Sequence, residues 1–251
     1  MSAARRLPGT VAWVDLSTPE VDVAGDFYRS LLGWSLDSED TPMGRYVIGS
    51  VDQGTVGGLM APPPGPVMPP AWTVFFATDD IDSTFALALG AGATVLEPPM
   101  EVPGGNRIAV VADPAGAVVG FMVASSDDGM VWGEPGAVAW VESASRDLDA
   151  TRAFYERVFG WSAREGTGHY WLFEQGDDEV AGTMAMPDEV PTEVPSYWMP
   201  YFRVADVDRT GAHAAELGGT VVVPAMSIES MRFAVVQDRA GAAFGILQLS
   251  A

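Results

Sequence analysis

The 251-residue chain has no cysteine, no lysine, one asparagine (Asn106) and two histidines (His169 and His213). Without cysteine there are no disulfides, thiolate nucleophiles, zinc–cysteine sites or iron–sulfur clusters. Without lysine no phosphate-binding loop of the Walker type can form. With two histidines, any metal site would have to be built mostly from carboxylates. No stretch reaches the roughly 18 apolar residues of a membrane span, and Arg5 and Arg6 are not followed by the apolar core of a signal peptide. A cytoplasmic location is expected. Positive charge is scarce: 13 arginines face 34 acidic residues, a net charge of −21. Such a surface repels phosphate backbones and anionic lipids, so nucleic acids and membranes are poor partners, whereas a cationic small molecule would be attracted.

What the chain does have is an internal repeat. Ala12-Trp13-Val14-Asp15 is answered by Ala139-Trp140-Val141-Glu142, 127 residues on. At the same spacing Phe27-Tyr28 and Leu32-Gly33-Trp34 are answered by Phe154-Tyr155 and Phe159-Gly160-Trp161. Trp72 is answered by Trp198, and Asp113-Pro114-Ala115-Gly116 by Asp238-Arg239-Ala240-Gly241. The spacing drifts from 127 to 125, as it would if loops vary while elements persist. Residues 1–128 and 137–251 are therefore expected to form two domains, joined by a linker over 129–136.

Each half reads as two strand–helix–strand–strand–strand modules. Alternating strands open the halves at Val11–Ser17 and Ala137–Ser143. Thr18-Pro19-Glu20 supplies a cap, a first-turn proline and an acid for the first helix, which Gly33 ends as Gly160 ends its twin. Further strands are expected at Trp34–Leu36, Arg45–Ile48, Thr55–Met60, Trp72–Thr78, Thr94–Leu96, Arg107–Ala112 and Val118–Val123, with a helix over Ile81–Leu89. Asp80, Asp82, Asp206 and Asp208 mark helix starts, and Arg107 and Arg232 form another matched pair. The proline-rich stretches Ala61–Pro66 and Pro187–Pro195 read as stiff spacers. Strands and helices do not alternate singly, so the class is α+β.

These motifs together, Phe-Tyr…Leu-Gly-Trp, the Asp-Pro-x-Gly turn, and Gly-Ala-Thr-Val answered by Gly-Gly-Thr-Val, resemble the vicinal-oxygen-chelate superfamily. That group includes glyoxalase I, bleomycin-resistance proteins and extradiol dioxygenases, and the tandem two-domain glyoxalase-like proteins are most similar. The resemblance implies four βαβββ modules whose sheets curve around a ligand cavity, with helices behind. It also implies a divalent metal held by His and Glu at four places. Carried onto this sequence, those places fall on Trp13, Thr73, Leu59 or Met60, and Gly120, and in the second half on Trp140, Met199, Thr183 or Met184, and Gly245. None of these is an ordinary metal ligand, since an indole N–H only donates and glycine has no side chain. A two-residue slip would bring in Asp15 and Glu142, one carboxylate per half. No metal or other cofactor is expected.

With a strand period of two, Val14, Leu16, Val74 and Phe76 face the helices, and Trp34, Trp161, Trp72 and Trp198 read as core. The opposite parity sends Trp13, Asp15, Ser17, Thr73, Phe75 and Ala77 to the ligand side, with Met122, and in the second half Trp140, Glu142, Met199, Tyr201 and Arg203. Rings and methionines would form the walls, and Asp15, Glu142 and Arg203 the polar anchors, with either Arg203 or a ligand expected to pair one of the acids. Two functions compete. One is a metal-free binding protein of bleomycin-resistance type that sequesters an aromatic or cationic natural product. The other is a metal-independent cyclase, isomerase or lyase using Asp15, Glu142 or His169 as acid or base. A tandem chain of this kind is expected to be a monomeric pseudo-dimer or a weak homodimer.

Overall fold

The computed structural model describes residues 7–62, 68–123, 129–228 and 231–249. Parts of the spacer Ala61–Pro66 and of the segment before the linker lie outside them. Among the described residues sixteen strands form two eight-stranded mixed sheets, one from each half of the sequence. In the first half the strands are β1 (Val11–Ser17), β2 (Ser35–Thr41), β3 (Gly44–Val51), β4 (Gly54–Met60), β5 (Ala71–Ala77), β6 (Thr94–Glu101), β7 (Arg107–Ala112) and β8 (Val118–Val123). Their order in the sheet is β2-β3-β4-β1-β5-β8-β7-β6. The second half repeats that order with β9 (Val138–Ser145), β10 (Ser162–Glu165), β11 (Tyr170–Gln175), β12 (Asp178–Ala185), β13 (Tyr197–Arg203), β14 (Thr220–Ile228), β15 (Met231–Gln237) and β16 (Ala243–Leu249). The helices are α1 (Val21–Leu32), α2 (Ile81–Gly90), α3 (Leu148–Phe159) and α4 (Val207–Glu216). This is the α+β architecture of four βαβββ modules. None of the described helices is long and apolar enough to cross a membrane.

Local chemistry explains the elements. Gly33 and Gly160 close α1 and α3 in the left-handed region, at φ 76° and 71°, where a side chain would be strained. Asp80, Asp147 and Asp206 each accept a backbone N–H from the first turn of α2, α3 and α4. The first helix departs from expectation. It begins at Val21, after Glu20, and Thr18 is fully buried and accepts the Glu20 N–H instead of capping from the N-terminal position. β6 is an edge strand and runs on through Pro98 and Pro99 at a shift in its register with β7 between Glu97 and Met100, where a strand tolerates proline because the ladder is interrupted. The matched arginines tie strand to helix start: Arg107 binds Asp82 at 2.9 and 3.2 Å, and Arg232 binds Asp208 at 2.8 and 2.7 Å.

The chain condenses into two compact units that do not follow the halves. One consists of Met1–Trp13, Val74–Gly129 and Val141–Trp198, the other of Val14–Thr73, Met130–Trp140 and Met199–Ala251. Each unit has one aromatic core organised by one hydrogen-bonded chain. In the second unit the Trp72 indole N–H donates to the Tyr28 hydroxyl at 3.1 Å, and that hydroxyl donates to Asp238 at 3.2 Å. Asp238 in turn accepts the N–H groups of Ala240, Gly241 and Ala242. In the first unit Trp198 donates to Tyr155 at 2.6 Å, Tyr155 to Asp113 at 3.2 Å, and Asp113 accepts from Ala115 and Ala117. Around these chains pack Trp34, Phe202 and Phe244 in one unit and Trp161, Phe76 and Phe173 in the other. The four tryptophans read as core are all buried.

Burial raises the carboxyl pKa of Asp113 and Asp238, against the pull of the backbone N–H groups and the phenols. Burial and the neighbouring carboxylates push both phenols well above their usual range, so they remain neutral donors.

Two outcomes follow from this core. Tyr28→Phe or Tyr155→Phe leaves a buried indole N–H and a carboxylate oxygen without their partner, and should cost about 1–3 kcal/mol in denaturant unfolding. The raised carboxyl values mean the native state takes up protons before the unfolded chain does. Stability from these two groups should therefore rise as pH falls through their native pKa and level off below the ordinary carboxylate value of about 3.9. Denaturant midpoints from neutral to acid pH, compared between the wild type and Asp113→Asn or Asp238→Asn, should show this component missing in the variants. A wild type that loses more stability than the variants on acidification would contradict it.

Candidate ligand-binding site

The alternation of β1 leaves Val14 and Leu16 fully buried and Trp13, Asp15 and Ser17 half-buried. Two neighbouring glycines fix which face is which. A Cβ on Gly57 would press on Val14 and towards Trp72, on the helix side, whereas one on Gly58 would collide with Asp15 and the Tyr46 hydroxyl. Asp15 and Gly58 are direct partners in the parallel β1–β4 pairing. The Tyr46 hydroxyl lies across Gly58 and donates to Asp15 Oδ1 at 2.6 Å.

The first unit repeats the construction. Glu142 pairs with Gly182, and the Tyr170 hydroxyl donates to Glu142 Oε2 at 3.0 Å across that glycine. Half-buried Tyr197 is held above the usual phenol range by burial and by the Glu142 charge, with Arg146 opposing.

A second glycine arrangement involves Phe75 and Tyr201. Phe75 is paired with Gly120 and Tyr201 with Gly245, and in each pair the ring occupies the space a Cβ would need. Around Phe75, Trp13, Ile108 and Val110 pack on a cluster with Ala12, Ala77 and Met122. In the other unit Tyr201 meets Phe233 edge to face at 6.1 Å. Phe75 and Met122 are buried in one unit and Met199 and Tyr201 in the other, while Trp13, Thr73, Trp140, Asp15, Glu142 and Arg203 keep accessible surface. Arg203 is tied through Nη1 to the Gly133 carbonyl at 2.6 Å, so its tether is to backbone.

The family resemblance raises a divalent metal, and the residues do not fit one. The two positions where the last carboxylate ligand would stand, Gly120 and Gly245, are covered by neighbouring rings and cannot carry a side chain without displacing them. Leu59 and Thr183 point into the core, Thr183 bonded to Ser143 at 2.7 Å. Trp13 and Trp140 bring indoles, which have no lone pair to give. Among the described residues no three of His, Asp and Glu gather.

His169 lies apart from these groups. It ends a short 3-10 turn rather than lying in a strand, has φ 63°, and its side chain is 92% exposed, 3.5 Å from Glu165. It is the next residue, Tyr170, that reaches the carboxylate. The repeat held the signal, since Arg45-Tyr46 matches His169-Tyr170 and only the tyrosine is shared. His213 is on the exposed side of α4, 3.1 Å from Glu216.

A family model described as Glyoxalase/Bleomycin resistance protein/Dioxygenase superfamily matches residues 10–121 and 137–246. The chain is 36% identical over 250 residues to the "Putative glyoxylase CFP32" of Mycobacterium tuberculosis, covering 96% of this chain and 95% of that protein. It is also 36% identical over 265 residues to the "Anthracycline biosynthesis protein DnrV" of Streptomyces peucetius, covering 98% and 95%. Among solved structures, the Mn(II)-bound glyoxalase from Novosphingobium aromaticivorans aligns with a TM-score of 0.67 at 14% identity, over 96% of this chain and 82% of that one, a likeness of fold. Carrying the motifs, the repeated modules and the two matched segments, the chain belongs to the glyoxalase/bleomycin resistance protein/dioxygenase superfamily.

Proposed function

We propose that this protein binds and sequesters a planar aromatic natural product without a divalent metal. The observation that carries this reading is the ring lying over each of Gly120 and Gly245, where a chelating carboxylate would otherwise stand. Replacing a chelating side chain by a ring removes a Lewis acid and adds an apolar floor, on which Trp13 and Trp140 supply accessible π faces. Aromatic contacts of this kind add roughly 0.5–1.5 kcal/mol each beyond burial. The net charge of −21 favours a cationic or neutral ligand over an anionic one. The name of the Streptomyces relative, an anthracycline biosynthesis protein, supports a polycyclic aromatic natural product as the class.

A second reading is proton transfer. The short Tyr46–Asp15 bond and its twin at Glu142 hold two half-buried carboxylates, each with a phenol donor, on the ligand side of their strands. Such a carboxylate can take a proton from an activated C–H or O–H of a bound substrate, with the phenol steadying its charge and orientation. That would suit a cyclase, isomerase or lyase.

Titration with 1,4-dihydroxyanthraquinone should quench tryptophan emission, and Trp13→Ala or Trp140→Ala should weaken binding about threefold to tenfold. Affinity should be unchanged by chelator or by added Mn(II), Ni(II) or Zn(II), and a metal-dependent affinity would end the proposal. Under sequestration the ligand is recovered unaltered. If product forms, Asp15→Asn, Glu142→Gln, Tyr46→Phe or Tyr170→Phe should lower kcat at least tenfold with Kd held within about twofold, while His169→Ala changes neither.

A further inference from the structure

Four of the six tyrosines are committed to carboxylates of the protein: Tyr28 to Asp238, Tyr155 to Asp113, Tyr46 to Asp15 and Tyr170 to Glu142. Tyr197 is placed like a fifth but makes no such bond. It is the first residue of β13, and it shares the parity of Met199 and Tyr201, opposite to Trp198, whose indole is in the core. It therefore lies on the face of the sheet that carries Glu142. β13 and β9 are neighbours in that sheet, and within the first unit the Ser196 hydroxyl accepts the Arg146 N–H at 2.9 Å, which sets the start of β13 against the end of β9. Tyr197 is near enough for the Glu142 charge to act on its phenol. Yet among the described residues nothing hydrogen-bonds the Tyr197 hydroxyl, and its oxygen is not sealed from solvent.

The backbone behind this hydroxyl is pinned. The Arg146 guanidinium binds the carbonyls of Val190, Pro191 and Val194, in the spacer that leads into β13. A half-buried phenol on fixed backbone has few torsions left to lose when it binds something. Burial and the Glu142 charge keep it protonated, so it can donate. Its partner must be an acceptor, and the neighbouring carboxylate repels an anionic one. A neutral carbonyl oxygen fits both conditions. In the second unit the matching place, one residue before Trp72 as Tyr197 is one before Trp198, holds Ala71, which has no donor to offer.

We infer that Tyr197 is a specificity-determining residue of the first unit, its hydroxyl donating to a neutral carbonyl or quinone oxygen of the bound ring compound. The second unit, with Ala71 at the matching place, lacks this donor. The inference rests on the reading that the protein binds a planar aromatic compound, and it names the functional group that such a compound carries.

The test compares 9,10-anthraquinone with anthracene, which has the same three-ring plane and no oxygen, by quenching of tryptophan emission on the intact chain. The quinone should bind wild type about threefold to tenfold tighter than the hydrocarbon, the range of one net hydrogen bond. Tyr197→Phe should remove that difference and leave anthracene within twofold. The carbonyl stretch of the bound quinone should lie at lower wavenumber in wild type than in Tyr197→Phe, a change that loss of packing alone would not produce. Because the hydroxyl has no protein partner, Tyr197→Phe should keep the wild-type denaturant midpoint, unlike Tyr28→Phe or Tyr155→Phe. If both compounds bind and the difference persists in Tyr197→Phe, or the carbonyl stretch is the same in both proteins, this inference fails and the proposed function stands. A stability loss as large as that of Tyr155→Phe would show that the hydroxyl serves the fold, and would also overturn it. If neither compound binds, both readings fail.

Discussion

The two buried hydrogen-bonded chains, Trp72–Tyr28–Asp238 and Trp198–Tyr155–Asp113, are the constraint on which the rest of each unit depends. Each joins the first helix of one half to the closing turn of the other half. A neutral phenol serves both as acceptor for an indole and as donor to a carboxylate, and the carboxylate gathers the N–H groups of a tight turn. Within these two hydrogen-bonded chains each indole, phenol and carboxylate has a partner, so large rings can pack around them without stranding one of those groups in apolar surroundings. The strength of the arrangement lies in that completeness: removal of one member strands the others.

On the face of the strands opposite the helices, glycine does the positioning. Gly58, Gly120, Gly182 and Gly245 each leave a gap in a strand that a partner strand fills, twice with a phenol aimed at a carboxylate and twice with a ring laid flat. A glycine in a strand ordinarily weakens it, and here the lost packing is restored by the aromatic neighbour. At two of the four, Gly120 and Gly245, the family resemblance would place a chelating carboxylate, and the side chains gathered around these glycines are instead rings and phenol–carboxylate pairs.

Much of this was legible in the sequence because repetition exposes it. The matched Phe-Tyr, Leu-Gly-Trp and Asp-x-x-Gly motifs marked modules, helix ends and turns, and strand parity placed Trp13 and Asp15 opposite Val14 and Leu16. Several boundaries were not legible. Tertiary contact carried β6 past two prolines and started α1 after Glu20, and both depend on what lies next to the segment. The histidine drew attention by chemical reputation, while the residue beside it, shared by both halves, was the one reaching the carboxylate.

The sequence by itself determined the number of modules, their class and their order, because hydrophobic period, caps and turns are local properties written into each copy. Only the tertiary structure decided which modules share a core and which side chains stand over which glycines. Those outcomes depend on partners hundreds of residues apart, such as Tyr28 and Asp238, and on cross-strand register, such as Phe75 against Gly120. Spacing along a chain carries no record of either, because both are chosen by packing and by the cost of leaving a buried polar group unpaired.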